Sequence, residues 1–348
     1  LLSASYEIDF WGRNRATADS AQALSRASRS DREALWLTLE SSIASSYFRV
    51  LALRERLTIA SANLETARQV LQATESRYTA GKASAVEVAA QRAMVANAEL
   101  ALPELQQQEA AERGVLAVLS GHDPEHFEIN GLSLAALQEP AVTAGLPAEM
   151  LTRRPDLLAA EANLAAAHAD VRAAQAALFP TVALTANGGV QNPALQAAVL
   201  TLEGAGSTLS VGASVMQSIF DSGRRQALRE ESTAREQELL ANYQTAIRNA
   251  LLDVETALSA LQHLNQQRAA QDESITQSTR ALEGAELRYR AGSSDYLSVL
   301  EAQRMLHAAR DQASAYRLAH MLALINLSKA LGGGWQADSL SASASIHR

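Results

Sequence analysis

Few side chains in this 348-residue chain are spaced for chemistry. The densest group of potential metal ligands is His122-Asp123-Pro124-Glu125-His126. A His-x3-His pair binds metal chiefly when both rings lie on one helical face, and Pro124 breaks a helix here, so no metal site is assigned. The other histidines, His168, His263, His307, His320 and His347, stand singly. Two carboxylates follow glycines closely: Glu87, six residues past Gly81, and Glu301, nine past Gly292. Their spacing alone gives solvated helix faces. Asp295 sits where it would cap a helix beginning just after it. In Arg153-Arg154-Pro155-Asp156 the guanidinium forks suit carbonyls or carboxylates, Pro155 suits a first helical turn and Asp156 suits its dipole, so the motif reads as structural. Arg13 and Arg224, each one residue past a glycine, read the same way. Nucleophile elbow, phosphate loop and dinucleotide fingerprint are all missing, and Gly332-Gly333-Gly334 follows a helix rather than a strand. The chain therefore reads as a non-enzyme with no cofactor.

The elements that carry these residues must be long helices. Apolar residues make up 47% of the chain but aromatic ones only 4%, and 71 residues are Ala. That composition suits closely packed helices better than a thick globular core. The 30 Lys and Arg against 38 Asp and Glu are interspersed and sum to −8, so nucleic acid is not an expected partner. No apolar run approaches the roughly 18 residues of a transmembrane helix; the nearest, Leu318 to Leu327, contains His320 and Asn326. Any membrane span must be a β-barrel. The lack of Cys excludes disulfides and thiolate metal sites.

An internal repeat organises the chain. Phe10-Trp11-Gly12-Arg13 answers Phe220-Asp221-Ser222-Gly223-Arg224, and Arg77-Tyr78-Thr79-Ala80-Gly81 answers Arg288-Tyr289-Arg290-Ala291-Gly292. The offset between glycines is 211; it becomes 212 where Gln91-Arg92 answers Gln303-Arg304 and Leu119-Ser120-Gly121 answers Leu331-Gly332-Gly333. No Gly or Pro interrupts the chain between Gly12 and Gly81, and only Gly284 does between Gly223 and Gly292. Each segment can be one helix on the order of 100 Å long. Trp36, Leu39, Ile43, Ser46, Val50, Leu53, Leu57, Ala60, Leu64, Ala67, Leu71, Thr74 and Tyr78 follow the 3-4 spacing of a coiled-coil seam. The partner seam runs from Ile247 to Tyr289 and is interrupted by Arg268 and Gln271. Return helices follow each Tyr-x-Ala-Gly, which is the tip of a helical hairpin with Gly at C′, and Pro103 is expected to kink the first of them.

Alternation marks three strands. Leu2, Ala4, Tyr6, Ile8 and Phe10 alternate with polar residues, as do Val182, Leu184 and Ala186, and Leu209, Val211, Ala213 and Val215. Strands of this length with one apolar face suit an outer-membrane barrel, but three cannot close one, so they form either a small sheet or part of a barrel shared by several chains. The resulting division is a first repeat over 1–120 (strand 1–11, long helix 13–79, tip 78–84, return helix 85–120), an equatorial segment 121–150, a second repeat 151–331 and a tail 332–348. The second repeat holds helix 153–178, strands 180–190 and 208–220, long helix 223–289, tip 289–295 and return helix 296–331. The first repeat has no counterpart of 153–207, so a native amino-terminal segment is expected upstream of Leu1.

The run Leu146-Pro147-Ala148-Glu149-Met150-Leu151-Thr152-Arg153-Arg154-Pro155-Asp156-Leu157, continuing through Glu161, Leu164, Val171 and Phe179-Pro180, resembles the signature of the TolC-like outer-membrane efflux proteins. More narrowly it is similar to the OprM/NodT-type lipoprotein branch that serves RND pumps. The paired tips, the Gly-Arg before each long helix and the repeat extend the resemblance over essentially the whole chain.

That resemblance implies a mainly α fold with some β: a homotrimer whose helical hairpins form a periplasmic α-barrel and whose strands join one 12-stranded transmembrane β-barrel. It implies a passive exit duct for drugs or other toxic solutes, driven by an inner-membrane RND-type pump through a periplasmic adaptor. The protein would lie in the outer membrane, among its lipids, anchored through a lipid-bearing Cys upstream. Glu87 and Glu301 become candidates for carboxylate rings that narrow the periplasmic mouth and filter cations. Tyr78, Gly81, Lys82, Tyr289, Gly292 and Asp295 become adaptor contacts. The competing reading is a non-channel periplasmic scaffold or adaptor, against which the paired repeats and amphipathic strands argue.

Overall fold

The computed structural model describes residues 2–129, 134, 153–191, 206–294 and 296–333, with the side chains of 189–191 and 206–208 excepted. Asp295, most of the equatorial segment and the tail beyond Gly333 lie outside these residues. In chain order the elements are β1 (Leu2–Ile8), α1 (Arg13–Thr79), α2 (Ala85–Leu119), a 3-10 turn (Pro124–His126), α3 (Pro155–Ala176), β2 (Thr181–Gln191), β3 (Gly206–Met216), α4 (Arg224–Arg290) and α5 (Tyr296–Ala330). They group into two compact units: Leu1–Ala34 with Pro155–Asn249, and Leu35–Arg154 with Ala250–Arg348. Each unit draws on both sequence repeats.

In the first unit, β1, β2 and β3 form an antiparallel sheet in that order. Tyr6 pairs with Leu184 and Leu184 with Ala213; Ala4 pairs with Ala186 and Ala186 with Val211. This register gathers every apolar residue of the alternation onto one face, and leaves Ser3, Ser5, Glu7, Thr185, Asn187, Ser210 and Ser214 on the other. On the apolar face Leu2, Tyr6, Leu184, Leu209, Val211 and Val215 are all exposed. Such a surface belongs against hydrocarbon rather than water.

Helices leave one end of this sheet. Asp9 accepts the Asn14 and Arg15 N–H groups and Asp221 those of Gly223 and Arg225, so a carboxylate caps the start of both α1 and α4. Trp11 stacks on Phe179 with centroids 4.6 Å apart and donates its indole N–H to the Pro180 carbonyl at 2.8 Å. The helical core here is built from small residues: Ala16, Ser20, Ala23 and Ala27 on α1, and Ala159, Ala162, Ala166 and Ala169 on α3, are all buried. Their 3-4 spacing puts each set on one helix face, where the absence of bulk permits close approach. Arg172–Asp19 (2.9 Å) and His168–Glu236 (2.8 Å) tie α3 to its neighbours.

In the second unit, Ser46, Val50, Leu64, Ala67 and Thr74 of the α1 seam are buried, whereas Trp36 (59% exposed) and Tyr78 (49%) are not. The seam thus fades at both ends, where nothing in the described chain covers these rings. Leu51 and Ala52 pack with Leu134, Met321 and Leu324, and Leu64 and Ala67 with Val95. Arg54–Glu109 (2.9 Å) and Arg68–Glu99 (2.7 Å) link α1 to α2; Arg56–Asp311 (2.7 Å) links α1 to α5. Gln271, an interruption in the second seam, donates to the Ala309 carbonyl at 2.8 Å and so joins α4 to α5. Helix α2 continues through Pro103.

Candidate functional site: the hairpin tips

Both tips end their long helices in the same way. The Gly81 N–H bonds the Tyr78 carbonyl and the Lys82 N–H that of Arg77; Gly292 and Ser293 repeat this with Tyr289 and Arg288. This is the double bond of a Schellman turn, with its left-handed residue at Gly81 (φ 70°) and Gly292 (φ 73°). The next helix restarts on a capping box: Ser84 accepts from the Glu87 N–H while the Glu87 carboxylate accepts from the Ser84 N–H, both at 3.2 Å. The pattern Ser-x-x-Glu signals this box in the sequence and gives Glu87 a local role that neither a pore carboxylate nor a solvated face includes.

Glu87 also joins the two hairpins. Its second carboxylate oxygen accepts the Tyr289 hydroxyl at 2.8 Å, and the Arg77 guanidinium lies 4.3 Å from the centre of the same ring. Burial pushes the Glu87 carboxyl up, but the Tyr289 hydroxyl, the Ser84 N–H and hydroxyl and the Arg77 charge outweigh it and hold the group below its ordinary value. On the other side, burial, the bond to Glu87 and that carboxylate's charge push the Tyr289 phenol up to about 12. Both shifts favour one state, phenol donating to carboxylate.

Deeper in, Tyr289 meets Tyr296 with centroids 5.0 Å apart. Tyr296, only 4% exposed, donates to the side-chain oxygen of Gln91, whose amide donates to the Ala67 carbonyl at 2.9 Å. Burial chiefly raises the Tyr296 phenol, again to about 12. α1, α2 and α5 thus meet in a buried polar relay. A polar Gln91 among apolar return-helix positions, matched in the repeat by buried Gln303, is the sequence signal for it.

The other candidates sit apart from this relay. Tyr78 lines a cleft of about 630 Å³ with Glu75, Thr79, Ala85, Val88, Ala89 and Arg92, where Arg92 pairs with Glu75 at 2.7 Å. Lys82 is exposed at the first tip. Glu301 is exposed on α5 and makes no ion pair with a described residue. At the other end of α5, Arg154 donates to Asp253 at 3.0 Å and to the Ala330 carbonyl at 3.2 Å. It borders a cavity of about 760 Å³ that is mostly apolar. Arg153 lies against Gly332, Pro155 is buried in the first turn of α3, and Asp156 accepts the Leu157 N–H at 3.0 Å. Asp123, Glu125 and His126 bring one ligand atom each within 4.8 Å of one another, all exposed. Asp123 already accepts the Glu125 N–H, and the His122 ring turns to Phe127.

Long glycine-tipped hairpins in a chain that also carries a two-faced antiparallel sheet define a subunit of an outer-membrane channel. The chain belongs to the family described as "Outer membrane efflux protein", which matches residues 1–122 and 146–333. It is 44% identical to "Pyoverdine export outer membrane protein OpmQ" of Pseudomonas aeruginosa, over 97% of this chain and 70% of that protein. It is 30% identical to "Cation efflux system protein CusC" of Escherichia coli, over 96% of this chain and 72% of that protein. Among solved structures it resembles the outer-membrane channel OprN, with a TM-score of 0.88, 30% identity and coverage of 96% of this chain and 74% of that one. The protein is an efflux channel of the Gram-negative outer membrane, mostly helical like the channels it resembles, and not an enzyme.

Proposed function

We propose that three copies of this chain build one duct through the outer membrane, the passive exit of a tripartite pump with a periplasmic adaptor and an inner-membrane RND-type transporter. The observation that carries this reading is the sheet: one exposed apolar face, one polar face, and too few strands to close alone. The polar face lines the lumen, the hairpin tips form the periplasmic mouth, and the adaptor meets Tyr78, Gly81, Lys82, Tyr289, Gly292 and Asp295 there. The cargo is a siderophore of the pyoverdine kind, supported by the higher identity to OpmQ than to CusC. Planar-bilayer conductance of the purified oligomer tests the duct; an oligomer that inserts without conducting refutes it. Secretion of a fluorescent siderophore by cells with and without the gene tests the cargo.

In this duct the Glu87–Tyr289 bond holds the two hairpins of a protomer together at the mouth. Tyr289→Phe and Glu87→Gln both raise single-channel conductance, and the double variant adds little to either single one. Because the folded carboxyl titrates below its ordinary value of 4.5, the tie is complete above that value and is lost as pH falls through the lower one. Wild-type conductance therefore stays level on mild acidification and rises only once the pH has fallen below the ordinary carboxyl value of 4.5, a step that Glu87→Gln lacks. The same step in Glu87→Gln would assign it to other carboxylates. Glu301 contributes its carboxylate to the constriction, so Glu301→Ala weakens cation selectivity; unchanged reversal potentials reject that role.

A further inference from the structure

The two strand-to-helix corners are duplicates, and only one of them is electrically complete. Arg13 and Arg224 each open a long helix directly after a left-handed glycine, Gly12 (φ 76°) and Gly223 (φ 79°). One terminal guanidinium nitrogen of Arg13 donates to both carboxylate oxygens of Glu7, at 2.7 and 2.8 Å. Glu7 belongs to the polar face of the sheet, in register with Ala183 and through it with Ser214. The second repeat carries one extra residue at its corner, so Glu7 aligns with Gln217 or Ser218, and neither bears a charge.

Among the described residues no other acid at the second corner substitutes for it. Asp221 accepts the Gly223 and Arg225 N–H groups and lies 3.6 Å from the Arg225 guanidinium, which is itself held to the Ala177 carbonyl at 3.3 Å. Three and four residues along α4 stand Ala227 and Leu228, not acids. Arg224 is exposed and pairs with no carboxylate among the described residues. The duplicate corner shows which ligand this geometry accepts: there the guanidinium meets a carboxylate in a charge-assisted bond.

We propose that Arg224 is an anion-contact residue of the duct, taking a carboxylate of the passing solute as Arg13 takes Glu7. The proposal rests on the duct reading, since it needs the polar face of the sheet to line the lumen. Symmetry repeats the contact in every protomer, so a cationic ring stands where strands give way to helices. A carboxylate-bearing solute dwells there; chloride passes quickly.

Citrate serves as the probe, added to the purified oligomer in a planar bilayer carrying potassium chloride current. Citrate blocks the wild-type channel, and the concentration for half-block rises about fivefold or more in Arg224→Gln. Arg224→Lys retains part of the block. Gln217→Glu or Ser218→Glu supplies an internal carboxylate and relieves the block without removing the arginine, which keeps the test decisive should Arg224→Gln fail to assemble. Equal half-block in wild type and all three neutralising variants overturns the proposal. A wild-type oligomer that conducts nothing overturns the duct reading instead.

Discussion

Gly332→Ala lowers the unfolding temperature of the protein far more than Gly121→Ala does. Both glycines close return helices with the same pair of turn bonds, and both are left-handed, at φ 89° and 74°. Forcing an alanine into that conformation costs about 1–2 kcal/mol at either place. At Gly121 the added Cβ meets nothing within 4 Å, so the backbone term stands alone. At Gly332 it would sit 2.8 Å from the carbonyl oxygen of Arg153 and 2.9 Å from its carbon, both of them backbone atoms without rotamers to yield. Overpacking adds a further ~1–3 kcal/mol. Thermal unfolding of the two variants in one detergent measures the difference; equal shifts would show that the approach of residue 153 to the end of α5 contributes nothing.

Arg154→Ala is the second large effect, and its cost comes from the carbonyl rather than the ion pair. Arg154 is 9% exposed, but the Asp253 carboxylate it meets is about half exposed, and such pairs contribute little. Ala330 is the last residue of α5, so its carbonyl has no partner within the helix. Removing the guanidinium leaves that buried acceptor unsatisfied and enlarges the neighbouring cavity, a combined loss of roughly 2–4 kcal/mol. Asp253→Asn costs less than about 1 kcal/mol by the same reasoning. Matching losses in the two variants would invert the assignment. Combining Arg154→Ala with Gly332→Ala gives less than the sum, because both changes act on one contact between residues 153–154 and the end of α5.

What the sequence made legible is what short-range rules govern. Gly81 and Gly292 mark hairpin tips because a left-handed C′ residue has few alternatives to glycine. The three strands show themselves because each apolar side chain must share a face, and the register of Tyr6, Leu184 and Ala213 follows from that. Contacts between distant segments were not legible. Nothing local says that Tyr289 rather than Tyr78 turns its hydroxyl to Glu87, since that depends on how far each helix rotates against its neighbours. The seam likewise looked uniform from Trp36 to Tyr78, yet both end rings are exposed. Periodicity reports which side of a helix is apolar; it does not report where the neighbouring helix ends.

The Glu87–Tyr289 bond spans 202 residues. The first hairpin can therefore complete its capping box from neighbouring residues alone, while its carboxylate needs a donor from the second hairpin. Closure of the tips is a late event in the life of each chain, and every protomer must be finished before its share of the mouth can shut.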